Sequence, residues 1–291
     1  MAEVSAGPLP VDMLLPVTAS HQAGGWLQEV QTMVRRSRLR PVGDVAAADW
    51  VVARTGPFGS GVGAFVPHGF EAYARILHPA SASDESPVTW AEVAAWSGRV
   101  VHPRVQFRAL ATPASEVRAA KPWEEEPDPG TLPPATLAAL CDVLARHTTS
   151  EDRCWFCVWD GYESTSGGRA TLTFTSQEEG DEQPEPGLLP PEFPSGIVKG
   201  PRVELPERSY LLLEGPLDAA GELAMSLAPQ SPNLFWPDDR SWCVATEIDL
   251  DSTYLGGTAA LVADVLADER LEAVPVEVTD SVWADSDEIN R

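Results

Sequence analysis

Three carboxylates recur at every second position in WCVATEIDLD (residues 242–251): Glu247, Asp249 and Asp251. Read as one strand over Trp242–Leu250, this segment puts Trp242, Val244, Thr246, Ile248 and Leu250 on one face. Cys243, Ala245, Glu247, Asp249 and Asp251 then fill the other face, with the carboxylates about 7 Å apart. Like charges so placed repel, and open water, a cation or arginines would relieve them. Water is the plainest reading. The functional one is a carboxylate-lined cleft with Trp236, Arg240 and Tyr254 at its rim. Asp160, Tyr162 and Glu214 end other predicted strands and would join the cleft if those strands are neighbours. The chain has 10 tryptophans, and Trp155, Trp159, Trp236 and Trp242 crowd into its acidic half. Aromatic rings mixed with acids suit a protein-binding surface and equally a large core. The candidate binding residues are therefore Asp160, Tyr162, Trp236, Arg240, Trp242, Glu247, Asp249, Asp251 and Tyr254.

Other chemistry-bearing types are present without a supporting frame. Cys154 and Cys157 form a lone C-x-x-C inside CWFCVW, and Cys141 and Cys243 stand apart. At strand period, residues three apart point to opposite faces, which suits neither a chelate nor a disulfide. His68, His78 and His102 are available as imidazole ligands, but no pair has the i, i+4 spacing of a helical metal site. No G-x-S-x-G or H-E-x-x-H occurs, and Ser231 and Ser241 lack a glycine frame. Gly59, Gly61 and Gly63 lie in a loop with no lysine, so a phosphate loop is not indicated and a flexible loop is expected. Gly256, Gly257 and Thr258 before a helix could hold an anion on backbone amides, but the surrounding Glu247, Asp249 and Asp251 oppose that, and helix capping by Thr258 explains the glycines equally well. No metal and no cofactor are expected.

The elements that must position these residues are read from periodicity. Trp26, Leu27, Val30, Met33 and Val34 repeat at helical spacing, and Arg35, Arg36, Arg38 and Arg40 would complement the dipole at that helix's end. Ala46–Thr55 reads as a buried strand, and Phe70–Pro79 as an apolar run stopped by proline. Thr89 with Glu92 makes a capping box, and Gly98 closes the short helix. Val100–Leu110 reads as a strand, Pro133–His147 as an amphipathic helix, and Cys154–Trp159 and Ala170–Thr175 as strands. Tyr210–Leu213 follows as a strand, 217–226 as a helix, Thr258–Asp268 as a helix and Val274–Val278 as a strand. Interspersed helices and strands close enough for hairpins predict an α+β fold: a mixed or mostly antiparallel sheet with flanking helices. The expected organisation is a loose leader over 1–24, an α+β half over 25–175 and an acidic, proline-rich linker or long loop over 176–201. A second half over 202–278, packed on the same sheet, and a frayed tail over 279–291 complete it.

Charge narrows the partners. Over 291 residues the net charge is −24, with 44 acidic side chains against 20 lysines and arginines. Residues 1–120 hold ten of each, so residues 121–291 carry all of the excess. Such a surface repels phosphate backbones and anionic lipids, so neither nucleic acid nor membrane is expected. No apolar run reaches the roughly 20 residues of a membrane span, and the N-terminus lacks the basic start of a signal peptide. With four unevenly spaced cysteines, a cytoplasmic location is expected.

The segments GFEAYARILHP (69–79), TWAEVAAWSGRVVHPRVQF (89–107), RCWFCVWDGY (153–162), SYLLLEGPL (209–217) and SPNLFWPDDRSWCVATEIDLDSTYLGG (231–257) resemble a family of actinobacterial proteins. No activity is assigned to that family, so the resemblance implies no catalytic residue or cofactor. The composition predicts a non-enzymatic binding protein with an acidic, tryptophan-rich face, immunity-like towards a basic protein partner. The alternative is a hydrolase or metal-assisted enzyme using Glu247, Asp249 and Asp251 with His78 or His102.

Overall fold

The structure, a computed structural model, describes residues 37–116, 119–162, 195–225 and 228–291, with two short pieces at 169–170 and 187–188. Nine strands form its main sheet: β1 (Arg40–Pro41), β2 (Ala72–Leu77), β3 (Cys154–Trp159), β4 (Val203–Leu205), β5 (Arg208–Gly215), β6 (Leu234–Pro237), β7 (Cys243–Thr246), β8 (Ser252–Gly257) and β9 (Ala273–Val276). They run in the order β1-β5-β3-β6-β7-β8-β2-β9, and β4 shares with β1 the edge of β5 that β3 leaves open. Every pairing is antiparallel. With its helices, this is the expected α+β fold. The sheet draws strands from both sides of residues 176–201.

Both faces of the sheet are covered, which is why β3 reads CWFCVW without polar alternation. Cys154, Phe156 and Val158 pack under helices α2 (Pro134–Ala145) and α3 (Ala259–Ala267), against Leu140, Leu144, Leu261 and Val265. Trp155 and Cys157 face the other way, into a layer built by Trp50, Val51, Val62, Phe65 and Val66. A smaller cluster gathers Val93, Phe107, Leu110 and Trp123 around Trp90 of helix α1 (Trp90–Ser97).

The helix ends follow from local chemistry. Thr89 and Glu92 form the reciprocal capping box at α1, and Gly98 ends it at φ 72°. Glu272 adds a second, distant cap by accepting from the Trp90 and Ala91 N–H groups at 2.6 and 2.7 Å. Pro134 opens α2 and Thr258 caps α3.

Several expectations are corrected. Ala46–Thr55 is not a strand: a 3-10 turn over Ala46–Ala48 leads into a one-turn helix, Asp49–Val52. Asp44 Oδ1 accepts from Ala46 N and so turns the chain before it can extend. Val100–Leu110 is a turn closed by Val105 N–H onto His102 O, followed by a short helix, Phe107–Leu110. Residues Leu217–Glu222 are 3-10, not α. The loop around Gly61 and Gly63 is tightly packed, with Val62 and Gly63 donating to the carbonyls of Asp280 and Val278. Gly61 sits at φ 89°, and a Cβ there would lie 2.4 Å from Asp280 O, so glycine is required.

The tail is not frayed. Asp287 is buried and accepts from Asn290 N, Asn290 Nδ2, Gln106 N and His102 Nε2. Asn290 in turn bonds both the N–H and the carbonyl of Val100. Arg38 lies in an extended entry to β1, paired with Asp218 and Glu222. The predicted leader, the helix beginning at Gly25 up to residue 36, and residues 171–186 and 189–194 lie outside the described residues. Within the predicted linker, Gly187–Leu188 pairs with Arg169–Ala170, and Ser195–Val198 is helical.

Candidate functional site

The strand expected over Trp242–Leu250 ends at Thr246. Leu250 N donates to Glu247 O at 3.1 Å, closing a turn, and β8 begins at Ser252. Asp249 and Asp251 are turn-favouring residues, and the turn is braced by Gly130, whose N–H donates to Leu250 O at 3.0 Å. The three carboxylates therefore occupy a hairpin turn, and arginines neutralise them. Arg208 on β5 directs Nε and Nη2 to Glu247 Oε1 at 3.1 and 2.8 Å, and Nη2 also reaches Asp249 Oδ2 at 2.8 Å. Glu247 is buried, whereas the Asp249 side chain is 73% exposed. Burial pushes the Glu247 carboxyl above its ordinary range despite the arginine.

Asp251 meets Arg75 of β2 at 3.4 Å. Arg75 is itself buried, held by Ser252 Oγ and the carbonyls of Val105 and Pro103, with its guanidinium 5.4 Å from the Trp90 ring centre. It ties the hairpin to the α1 subdomain.

A small cleft opens beside Glu247, lined by Phe58, Phe65, Arg208, Tyr210, Asn233 and Thr246 among others. Its volume is ≈ 10 Å³, the space of about one water molecule. Phe58 caps it, its ring centre 5.2 Å from the Arg208 guanidinium. Asn233 is the organising polar group. Its Oδ1 accepts from Trp159 N at 2.8 Å, and its Nδ2 donates to Tyr162 Oη and Thr246 O.

Behind it runs a buried chain of hydroxyls. His78 Nδ1 lies 2.9 Å from Asp128 O, which can only accept, so Nδ1 carries the proton and Nε2 accepts from Thr253. Thr253 Oγ1 in turn accepts from Thr246 Oγ1 at 2.8 Å. Burial lowers the His78 pKa, which fits this neutral tautomer.

The sequence-derived candidates divide between two ends of the sheet. Glu247, Asp249, Asp251, Asp160 and Tyr162 share one end: Asp160 N–H donates to Ser209 O, its carboxylate meets Arg202 at 3.0 Å, and Tyr162 joins through Asn233. Tyr254 is buried in mid-sheet, opposite Ala245 and Arg75. Trp236, Arg240 and Trp242 lie at the other end, about 16 Å away along β7. Trp236 and Trp242 are fully buried on opposite faces, so they are core and not rim. Glu214, in register with Trp155, also lies at that far end.

His68, His78 and His102 do not converge. His78 belongs to the threonine chain, His102 bonds Asp287 at 2.9 Å, and the His68 ring lies against Gly63. Among the described residues, no three His, Cys, Asp or Glu side chains are placed to hold a metal. Cys154 and Cys157 lie on opposite sheet faces, as the strand period requires.

Arg208, Asn233, Arg75 and Phe58 escaped sequence reasoning. For Arg208, Asn233 and Arg75 the only local mark is polarity within or beside apolar runs, as in RSYLLL and SPNLFW, and Phe58 has none. No described helix is long and apolar enough to cross a membrane. The chain matches no protein-family model, no curated protein and no solved structure.

Proposed function

We propose that the protein works by binding, cytoplasmically, a basic protein partner, and that the acidic end of the sheet is the contact surface. The observation that carries this reading is the meeting of two acidic segments distant in sequence. The run Glu124, Glu125, Glu126 and Asp128, exposed at every one of these positions, lies beside the 247–251 turn. Gly130 N–H on Leu250 O, and His78 bonding both Asp128 O and Asp251 O, hold the two together. Of the acids among the described residues, only Glu247 and Asp287 are buried, so the charge faces outward. Such a surface accelerates encounter with a basic partner and makes it salt-dependent. Neutralisation of a basic toxin by an immunity-type protein is one physical model. For the hydrolytic reading, with Glu247, Asp249 and Asp251 beside His78 or His102, Glu247 is held by Arg208 beside a cleft of one-water size, and the two histidines bond Thr253 and Asp287.

The test is affinity capture from the source cell with the wild-type chain and a Glu124→Lys, Glu125→Lys, Asp128→Lys variant in parallel. A partner of net positive charge should be retained by the first and lost by the second. Its association rate should fall steeply as salt rises from about 0.05 to 0.5 M. Identical captures by both chains, or an acidic partner, would overturn the reading.

A further inference from the structure

At the opposite end of the sheet from the acidic turn, two arginines flank one buried tryptophan. Arg54 and Arg240 place their guanidinium carbons 5.9 and 5.8 Å from the centre of the Trp50 ring. Neither makes an ion pair or a side-chain hydrogen bond among the described residues. In a chain with more than two acids for every base, that is unexpected: most other described arginines have found a carboxylate, including Arg38, Arg75, Arg202, Arg208 and Arg270. Two cations sharing one ring repel each other, and the ring face offsets this only in part.

Two neutral donors on the same chain segments are also unused. The indole N–H of Trp50 and the hydroxyl of Ser241, the residue after Arg240, are buried with no hydrogen-bond partner. Buried polar groups are ordinarily satisfied, so two orphans beside two unpaired cations are an observation in need of a cause. Trp50 is 8% exposed and packed edge-to-face against Phe70 and Trp236, so its ring is fixed. Arg240 is held in the left-handed region at φ 58°, a conformation that strains a non-glycine residue and that sets where its side chain leaves the turn.

All four groups are donors, and what they lack is an acceptor. The carboxylates flanking Arg240 in sequence do not supply one. Asp239 accepts from Thr148, Thr149 and the Ser241 N–H. Asp238 accepts from Trp155 Nε1 and lies 3.9 Å from Arg153.

We infer that Arg54 and Arg240 form a binding site for a small oxyanion of the phosphate class, with Trp50 and Ser241 as its neutral donors. Planar guanidinium groups match a tetrahedral oxyanion in pairs of hydrogen bonds, which lysines would not. The surrounding negative potential excludes polyanions, so the ligand is a single phosphate group, free or on a small molecule. This site is independent of the acidic end, and each can fail without the other.

Inorganic phosphate is the probe, titrated against the full chain at constant ionic strength balanced with sodium chloride. Thermal melting and tryptophan emission are both read. Phosphate should raise the melting temperature and change the emission, where chloride does neither. Arg54→Gln and Arg240→Gln should each weaken binding about tenfold or more. Arg108→Gln, at an exposed arginine far from Trp50, should leave it unchanged. Arg240→Gly guards against misfolding, since glycine suits the left-handed backbone: it should fold at least as stably and still lose binding. Phosphate and phosphomonoesters such as glycerol phosphate, compared side by side, separate the free ion from an esterified ligand. Failure of phosphate to bind the wild-type chain, or equal binding by the Arg54 and Arg240 variants, overturns the inference.

Discussion

Arg208 and Glu247, 39 positions apart, meet through two nitrogens on a single carboxylate oxygen, at 3.1 and 2.8 Å. The pair joins β5 to the β7–β8 turn across two intervening strands, β3 and β6. It is a tie between sheet segments that share no direct backbone pairing. Removing the arginine strands a buried carboxylate, so Arg208→Ala should lower stability by about 3 kcal/mol in denaturant melts. Asp249→Asn, at the exposed partner, should change it by no more than about 0.5 kcal/mol. Equal effects at the two positions would show that burial of Glu247 is not what makes the pair matter.

His78 gives a pH dependence whose sign is fixed by its surroundings. Its folded pKa is lowered by burial, while the unfolded value is the ordinary 6.5. Below pH 6.5 the unfolded chain therefore binds a proton that the native chain refuses. Stability should be insensitive to this group above pH 6.5 and should fall as pH drops below it, by up to about 1.4 kcal/mol per pH unit. Melting temperatures of wild type and His78→Gln, compared from about pH 7.5 to 5, isolate the effect. Parallel curves would rule His78 out as its source.

The thiols should be inert in the native state. Burial raises Cys141 and Cys154 to about 12, and it pushes Cys157 and Cys243 further in the same direction. Reaction depends on the thiolate, which is scarce at neutral pH in all four. A thiol-reactive reporter should reach Cys154, Cys157 and Cys243 of the folded chain only at the rate of global unfolding, and the denatured chain at once. Fast labelling of Cys154, Cys157 or Cys243 in the native protein would contradict their burial.

How much of this was legible in the sequence depended on the range of the deciding interaction. Thr89, Glu92 and Gly98 determine α1 within ten residues, and CWFCVW marks β3 because both sheet faces demand apolar side chains. Thr258 fixes the start of α3 in the same local way. Ala46–Thr55 misled because a short buried helix and a buried strand have the same composition, and the turn is set by one bond from Asp44. The alternation of Glu247, Asp249 and Asp251 mimics a strand, yet the backbone turns at Glu247. Carboxylate spacing therefore pointed to three residues that share one turn, but with the wrong backbone geometry. That Arg208 and Arg75 would be their partners follows only from the strand order, which no local pattern encodes.

The tail offers the last and most localised prediction. Burial alone would raise the Asp287 carboxyl, but hydrogen bonds from Asn290, Gln106 and His102 together hold it at about 2. Because its folded pKa lies below the ordinary 3.8, the stability it contributes is complete above that value. It is lost as pH falls from 3.8 towards about 2. Asp287→Ala removes the acceptor at all pH values and leaves several buried donors unpaired, which should lower stability by about 2–4 kcal/mol. The loss should be local at first. His102, Gln106 and Val100 release residues 282–291, so carboxypeptidase should trim the variant rapidly and the wild type slowly at neutral pH. Asn290→Ala removes one partner and keeps the carboxylate, so it should trim at an intermediate rate. Equal trimming of all three chains would mean that the tail is not held by Asp287.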